Sequence, residues 1–600
     1  SDLEIAMSGS LDVEQSGFVE SSDTPLYPLQ LPPVNNLEFI GNLDKKHRSY
    51  QNAKTDLQRS LAYECHGEHI SEPSLLNNKD PRLPEQFRED FYKDLAKGFG
   101  YGADFEESEL SEATQALVEE HRAANQKSSI KQRLLTDEEM LNGVPGWNGT
   151  SRMDMTTSAG WPYNCEGLKR KDMITETETG KLIMGPRLKR DFENAWRSLE
   201  AGIVPMLPYV LTIKDERVKL KKIYIQPKSR YFSNSNLVSF LIFRKIFHSH
   251  MMVVYNEKYH YAAASIDRIS IDWHHMISHM IEVGTQGFDG DYAFWDKSIP
   301  RILISAAFDI GIDSVKSLLS PRFIEALREL VVAPYYVMGS ALLKADGTMP
   351  SGMLMTFLFN CHMNEILHRS AYLAIMRKRL PVLGTMKAYR QNNRGKRGGD
   401  DTIQVVSQLI APHFNGETYG NWINAHGMEY TSTDKTDNII ALKDFKKLSF
   451  LKNTTGMMGM YYVPLGDMKE LEEQCYWIRL SKFNSDARKA TSDNCNAALR
   501  AVYFYGKKTY NDFRDRILNK EPSLELLTFG DLKTLWEGYY YFPGSAAGYS
   551  TRKDQDNEFD IDAKPKTVVV RGLEVKPSRE KMEILNDDEI QYQSGRDTAL

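Results

Sequence analysis

The stretch RGGDDTIQVV, Arg397 to Val406, sets two carboxylates, Asp400 and Asp401, side by side after two glycines and an arginine. Like charges at neighbouring positions repel, and glycine weakens any strand or helix it interrupts. Read alone, Gly-Asp is ordinary turn chemistry and the pair is a solvated turn. The other reading is a divalent cation, because Mg2+ takes hard oxygen ligands from one or two carboxylates and leaves the rest of its shell to water and phosphate. What the rest of the chain places beside the stretch decides between them.

Upstream lies FDGDYAFWDKS, with Asp291 and Asp296 separated by four residues. A strand running into a turn puts the first carboxylate beside Asp400 and leaves the second aimed at whatever lies above it. Two metal ions about 3.5–4 Å apart clamp both oxygens of an in-line phosphoryl transfer and need carboxylates from separate strands. Asp291 and Asp400 are the expected bridging pair, with Asp401 as support or weak ligand. Between them, GTMPSGMLMTFLFN spaces Ser351, Gly352, Thr356 and Asn360 as Ser-Gly-x3-Thr-x3-Asn. Thr356 and Asn360 fall one turn apart on a helix otherwise built from Met, Leu and Phe, where buried polar groups need partners. Asn360 is placed to reach Asp296, and together they sense a ribose 2′-hydroxyl, the group that distinguishes RNA from DNA.

These motifs resemble those of the RNA-dependent RNA polymerases of picorna-like viruses, nearest to the dicistrovirus, iflavirus and marnavirus types, in family order from about Lys54 to about Phe504. TSAGWPY, with Ser158 and Gly160, resembles the family's template-contacting fingers loop, and Gly352 belongs with it as a template contact. IKDERVKLKKIYIQPKSR carries Lys214, Arg217, Lys219, Lys221, Lys222, Lys228 and Arg230 against Asp215 and Glu216. It resembles the basic element that holds the triphosphate; Lys214, Arg217, Lys222, Lys228 and Arg230 are its candidates, Arg230 as a bidentate partner. GMEYTSTDKTD looks like the element whose lysine, here Lys435, protonates the leaving pyrophosphate. LSFLKN is similar to the hairpin that grips the primer strand, with Lys452 near the backbone. The family usually has Tyr before Gly-Asp-Asp; here Gly398 stands there, preceded by Arg394, Lys396 and Arg397. Three cations in a buried strand need partners. Either the strand is short and edge-like, or backbone phosphates compensate, or the segment is damaged.

The resemblance implies an α+β right-hand polymerase with closed fingertips: an antiparallel-sheet palm, fingers and a helical thumb. The expected parts are an acidic arm at 1–36, fingers at 37–250 with the basic element at 214–230, palm at 251–297 and 344–461, a fingers insertion at 298–343, a thumb at 462–550 and a polar tail at 551–600. It further implies RNA template and primer, nucleoside triphosphates, two Mg2+ ions with Mn2+ able to substitute, a small protein primer and other viral replication proteins. The place of work is the host cytoplasm at membrane-associated replication complexes, the membrane contact being indirect. Two rivals are a palm-fold reverse transcriptase and a catalytically impaired RNA-binding scaffold of the same fold.

Bulk composition is consistent with this but does not carry it. Six hundred residues exceed what one hydrophobic core organises. A formal charge of −6 makes any nucleic-acid surface a local concentration of cations. Five scattered cysteines without a Cys-x-x-Cys pair argue against a disulfide partner and a zinc cluster. SFLIFRKIFHSHMMVVY is interrupted by Arg244, Lys245 and two histidines and is too short to span a bilayer unaided.

Overall fold

The computed structural model describes residues 36–537 apart from 51–53, 93–98, 100–101, 148, 258, 265, 267–269, 434–437 and 481–484, and the short strands Phe18–Val19, Val568–Val570 and Leu573–Val575. Most of the acidic arm and of the polar tail lies outside the described residues.

Two sheets organise the chain. The first has six strands, in the spatial order Phe18–Val19, Leu37–Leu43, Ala341–Ala345, Tyr335–Met338, Tyr209–Ile213 and Tyr231–Asn234. Its pairings are antiparallel except that of Tyr335–Met338 with Tyr209–Ile213, so the 335–345 hairpin returns to the lobe built by the N-terminal segments. The second sheet runs Asn393–Gly398, Asp401–Val406, Gln286–Tyr292 and Tyr430–Thr431, all antiparallel, with Lys443–Asp444 also pairing onto Gln286–Tyr292. The helix Thr356–Arg379 packs on this sheet against Asn393–Gly398 and is buried over most of its length.

Helix Leu237–Asn256 links the lobes. Asn236 caps it by accepting from the amides of Val238 and Ser239, and an apolar surface all round directs it into the core. Among the described residues it alone is long and apolar enough to cross a bilayer, and its apolar window is 89% buried inside the protein. Its charged residues find partners: Arg244 donates to the Ser151 carbonyl, and Lys245 Nζ sits 3.2 Å from Asp137 and 5.6 Å from the Trp196 ring centroid. The helix runs unbroken across the boundary expected at 250, because a buried rod has no exposed linker at which to divide.

A C-terminal lobe has its own core, including Met458, Val463, Tyr476, Tyr510 and Trp536. It consists of the hairpin Asn453–Met458/Tyr461–Gly466 followed by helices Met468–Gln474, Ala487–Val502, Lys507–Lys520 and Phe529–Leu535. A bridge joins this lobe to the basic element: Leu57–Arg59 pairs with Trp477–Arg479, and Ser71–Pro73 pairs with Arg217–Lys219.

Two stretches fold otherwise than their composition alone suggests. KKLSFL, strand-like by composition, forms part of a 3-10 turn and a left-handed corner, with φ of 50° at Leu451 and 61° at Lys452. The long apolar helix begins at Thr356, after Met353, because the 350–355 stretch folds as a loop held by side-chain bonds.

Candidate active site

Gly399 and Asp400 form the two-residue turn between the paired strands Asn393–Gly398 and Asp401–Val406, with Gly398 opposite Asp401. Gly399 has φ of +73°, a left-handed conformation that favours glycine in such a turn. The neighbouring ladder pairs Gly290 with Thr402, so one step further Asp291 stands level with Asp401. Residues alternate faces along a strand, which gives Asp289 and Asp291 the same side. Asp289 is the buried one. It accepts from the Ser449 amide at 2.7 Å and from Lys443 Nζ at 2.8 Å, so it anchors the 443–449 segment. Asp291 is left at the end of the strand, beside the turn.

The three carboxylates crowd one another. Burial first, and then the charges of Asp400 and Asp291, push the Asp401 carboxyl up to about 7 despite the Leu451 amide it accepts at 2.5 Å. Asp400 is solvent-accessible at the turn, yet the surrounding protein displaces bulk water and raises its carboxyl as well, against the pull of Arg230. Hard oxygens converging from two strands, at a mutual electrostatic cost that a cation removes, fit a divalent metal.

Asp296 follows Phe294, which has φ of 53°, and is tied back by Met349 N donating to its carbonyl at 2.7 Å. Asn360 Nδ2 lies 3.4 Å from Asp296 Oδ1. Burial, followed by Asp400, raises Asp296 to about 7. One turn beyond Asn360, Asn364 donates to the carbonyls of Gly399 and Asp400, each at 3.1 Å, and accepts from Tyr292 OH at 3.1 Å. Asn364 thereby fixes the carboxylate turn to the helix. The sequence reading missed it, although it continues the Thr356, Asn360 series at the same four-residue spacing.

Ser351 Oγ accepts from the Ser233 amide at 2.9 Å, and Ser233 Oγ accepts from the Gly352 amide at 3.1 Å. The Thr356 hydroxyl donates to Pro350 O at 2.5 Å, so it braces the loop from within. A Cβ on Gly352 would lie 1.9 Å from Ser233 O, and one on Gly160 would lie 2.3 Å from Ser235 O, where φ is +79°. Both glycines thus seat their loops on the 233–236 segment, and exposed Ser158 caps its own turn by accepting from Gly160 N at 3.1 Å. Gly352→Ala is expected to displace the Ser351 loop, destabilising the protein by about 1–3 kcal/mol and reducing nucleotide incorporation. Thermal unfolding and primer extension check this together.

The basic run divides. Arg217 is bonded to Ser71 Oγ and Glu470 at 3.1 Å each and lies 3.7 Å from Glu473, so it holds the C-terminal lobe rather than standing free for a triphosphate. The acids that neutralise it come from far along the chain, invisible to a count over the local run. Arg230 lies close enough to Asp400 and Asp296 to feel both charges, but its fork is taken bidentately by Glu216 at 2.7 and 2.6 Å. Lys214 lies 3.5 Å from the same glutamate. Lys228 sits 5.1 Å from the Phe294 ring centroid, over the segment leading to Asp296, and Lys222 is half-buried. Lys452 is exposed, and Lys435 lies outside the described residues.

The cations before Asp400 are satisfied by protein. Asn393–Gly398 is the edge strand of its sheet. Lys396 Nζ donates to His260 O at 2.6 Å, and Arg394 turns back to Arg390 O at 2.6 Å. Arg397, fully buried, meets Glu365 at 2.8 Å and also bonds Thr402 and Gln404. The strand is edge-like, as one of the three explanations had it, and a carboxylate on the packed helix does the work that phosphates were invoked for. Gly398 stands where a Cβ would lie 2.6 Å from Leu451 Cδ2, so the hydrophobic corner after Ser449 fills the space.

With this geometry in place, comparisons with known proteins bear on the chain. A family model described as viral RNA-dependent RNA polymerase matches residues 67–520. The genome polyprotein of Rice tungro spherical virus (strain Vt6) is 27% identical over 521 residues, covering 82% of this chain and 14% of the polyprotein. The genome polyprotein of Deformed wing virus is 26% identical over 542 residues, covering 86% and 18%. The replicase polyprotein of Drosophila C virus is 24% identical over 414 residues, covering 66% and 23%. The chain therefore spans about a seventh to a quarter of the polyproteins it matches. Among solved structures, Sicinivirus 3Dpol RNA dependent RNA polymerase superposes with a TM-score of 0.68 at 17% identity, covering 82% of this chain and 97% of that one.

Proposed function

The chain belongs to the viral RNA-dependent RNA polymerase family, and from that premise we propose how its own residues divide the work of copying RNA into RNA. The reading rests on one observation above all: Asp291, Asp400 and Asp401 converge at the end of two paired strands, with the Asp296–Asn360 pair and Arg230 within electrostatic reach. Polymerases of the family use divalent metal ions; Mg2+ is the ion these carboxylates suit, with Mn2+ able to substitute. Divalent ions held by these carboxylates would supply activation of the primer 3′-hydroxyl and neutralisation of triphosphate charge.

Asp291 and Asp400 hold the ions, and Asp401 supports them while fixing the Leu451 corner from which Lys452 faces the primer backbone. Asp296 and Asn360 receive the ribose 2′-hydroxyl. The Ser351 loop and Ser158 to Gly160, seated on one shared segment, position template and incoming nucleotide. Lys214, Lys222, Lys228 and Arg230 receive the triphosphate, which for Arg230 means exchanging Glu216 for phosphate. Lys435 donates a proton to the leaving pyrophosphate. Arg217 is left out of this set.

The strand bridge from the C-terminal lobe to the basic element suits a closed, encircled polymerase. Priming by a small viral protein and work beside other viral proteins at membrane-associated complexes in the host cytoplasm complete the proposal. Its test is primer extension with Mg2+ by the intact and Asp291→Asn proteins; equal extension would overturn it. Asp296→Ala is expected to lower the preference for ribo- over deoxyribonucleotides on the order of 10- to 100-fold, the worth of a hydrogen bond to an otherwise unpaired polar group. Competition between the two nucleotide types measures it, and an undiminished preference would remove Asp296 from ribose selection. The expected preference also separates this enzyme from a reverse transcriptase.

A further inference from the structure

Behind the carboxylate site, four histidines meet in the core. His121 comes from helix Glu107–Lys127, His250 from Leu237–Asn256, His362 from Thr356–Arg379, and His260 from the loop after residue 256. All four are buried, and ring nitrogens of His121, His250 and His362 lie within 4.8 Å of one another. The rings are oriented from behind. His121 Nδ1 donates to Leu117 O at 2.7 Å, which leaves its Nε2 as the acceptor of the His260 Nε2–H at 2.9 Å, a bond that a bound ion would replace. His362 Nδ1 is 2.5 Å from Tyr261 OH, while its Nε2 lies 2.9 Å from His250 Nε2. His260 Nδ1 accepts from Ala262 N at 3.0 Å, and its Nε2 is 2.9 Å from His121 Nε2. A carbonyl or hydroxyl on the far nitrogen is the support that metal-binding imidazoles carry.

All three rings sit in the apolar core, an environment that favours the uncharged imidazole, the form that coordinates metal. Zinc–nitrogen bonds of about 2.0–2.1 Å in a tetrahedron separate the nitrogens by about 3.3 Å, so the His250–His362 pair needs only a small outward shift. Imidazole donors favour zinc-like ions over Mg2+. A cavity of about 370 Å³, lined in part by His121, His260, Glu120 and Glu257, adjoins the cluster on its His121 and His260 side.

We propose that His121, His250 and His362 bind one Zn2+ ion, with its fourth position facing His260. The ion staples helix Glu107–Lys127 to the two central helices, one of which carries Asn360 and Asn364, and so braces the floor of the carboxylate site from behind. The expectation of no zinc cluster rested on the cysteines alone, whereas this site is built from histidines far apart in the sequence.

The test uses the full chain carrying Asp400→Asn, which weakens the carboxylate site as a competitor, stripped with chelator and dialysed against equimolar Zn2+ in excess Mg2+. About one zinc per chain is expected, with imidazole scattering in its X-ray absorption spectrum and a raised melting temperature. Adding His121→Asn or His250→Asn is expected to cut bound zinc at least about 10-fold. Zinc retention unchanged in folded variants, or a spectrum of the histidine-intact chain without imidazole ligands, would overturn the proposal. That spectrum decides the matter even if the variants fail to fold.

Discussion

Asp400→Ala protein is expected to lose at least about 10³-fold in nucleotide incorporation, or about 4 kcal/mol of transition-state stabilisation, while binding primer–template RNA nearly as well as the unaltered chain. Asp400 sits at the turn, its carbonyl held by Asn364, and its charge, with that of Asp291, acts on Asp401. RNA affinity comes from cations spread over the surface and is largely independent of one carboxylate. The fold has no need of Asp400 either. Its charge raises both Asp401 and Asp296, so its removal relieves repulsion, and the variant's melting temperature without divalent ions is expected to be equal or higher. Primer extension, filter binding and a thermal melt on one preparation read all three quantities. Normal elongation would break the assignment of the site. Lost elongation together with lost folding would instead show that Asp400 is structural.

The second large effect is on stability. Glu365→Gln is expected to destabilise the protein by about 3–5 kcal/mol, because it leaves a fully buried guanidinium without its counter-charge. Arg397 donates from Nε and Nη2 to Glu365 Oε2, at 3.0 and 2.8 Å, and the same carboxylate accepts from Arg369 Nε at 2.9 Å and Tyr389 OH at 3.1 Å. By contrast, Glu329→Gln, which breaks the exposed pair with Arg301, is expected to shift stability by less than about 1 kcal/mol. Urea unfolding of both variants checks the contrast, and equal midpoints would mean that the buried network contributes nothing.

The pH dependence has a definite sign. Burial raises the Glu365 carboxyl, but Arg397 and Arg369 pull harder and the net shift is downward. A carboxyl lowered in the folded state contributes stability that is present above the ordinary glutamate value of 4.5 and is lost as the pH falls through the folded-state value. The gap between wild type and Glu365→Gln is therefore expected to be full at neutral pH and to close below that value. Pairing of Arg397 with Glu365 gives the buried cation before Asp400 its counter-charge, and the charged run that motivated the scaffold reading is satisfied within the protein.

Chemistry carried by neighbours along the chain was legible before any fold. Adjacent aspartates after glycine, a second aspartate pair upstream and a Ser-Gly-x3-Thr-x3-Asn spacing define local geometry: a turn, a strand end and one helix face. These patterns survive in the structure because backbone periodicity alone places them. The one polar residue overlooked in that series, Asn364, lay on the same face and was available to the same argument. Pairings between distant segments were another matter. That Arg217 is tied to Glu470, that Glu216 occupies Arg230, that Asp289 serves Lys443, and that four histidines from separate segments meet in the core all depend on strand register and helix packing. A charge's partner is chosen by proximity in space, at distances of a few ångströms, and separations of up to some 250 residues along the chain carry no trace of that choice.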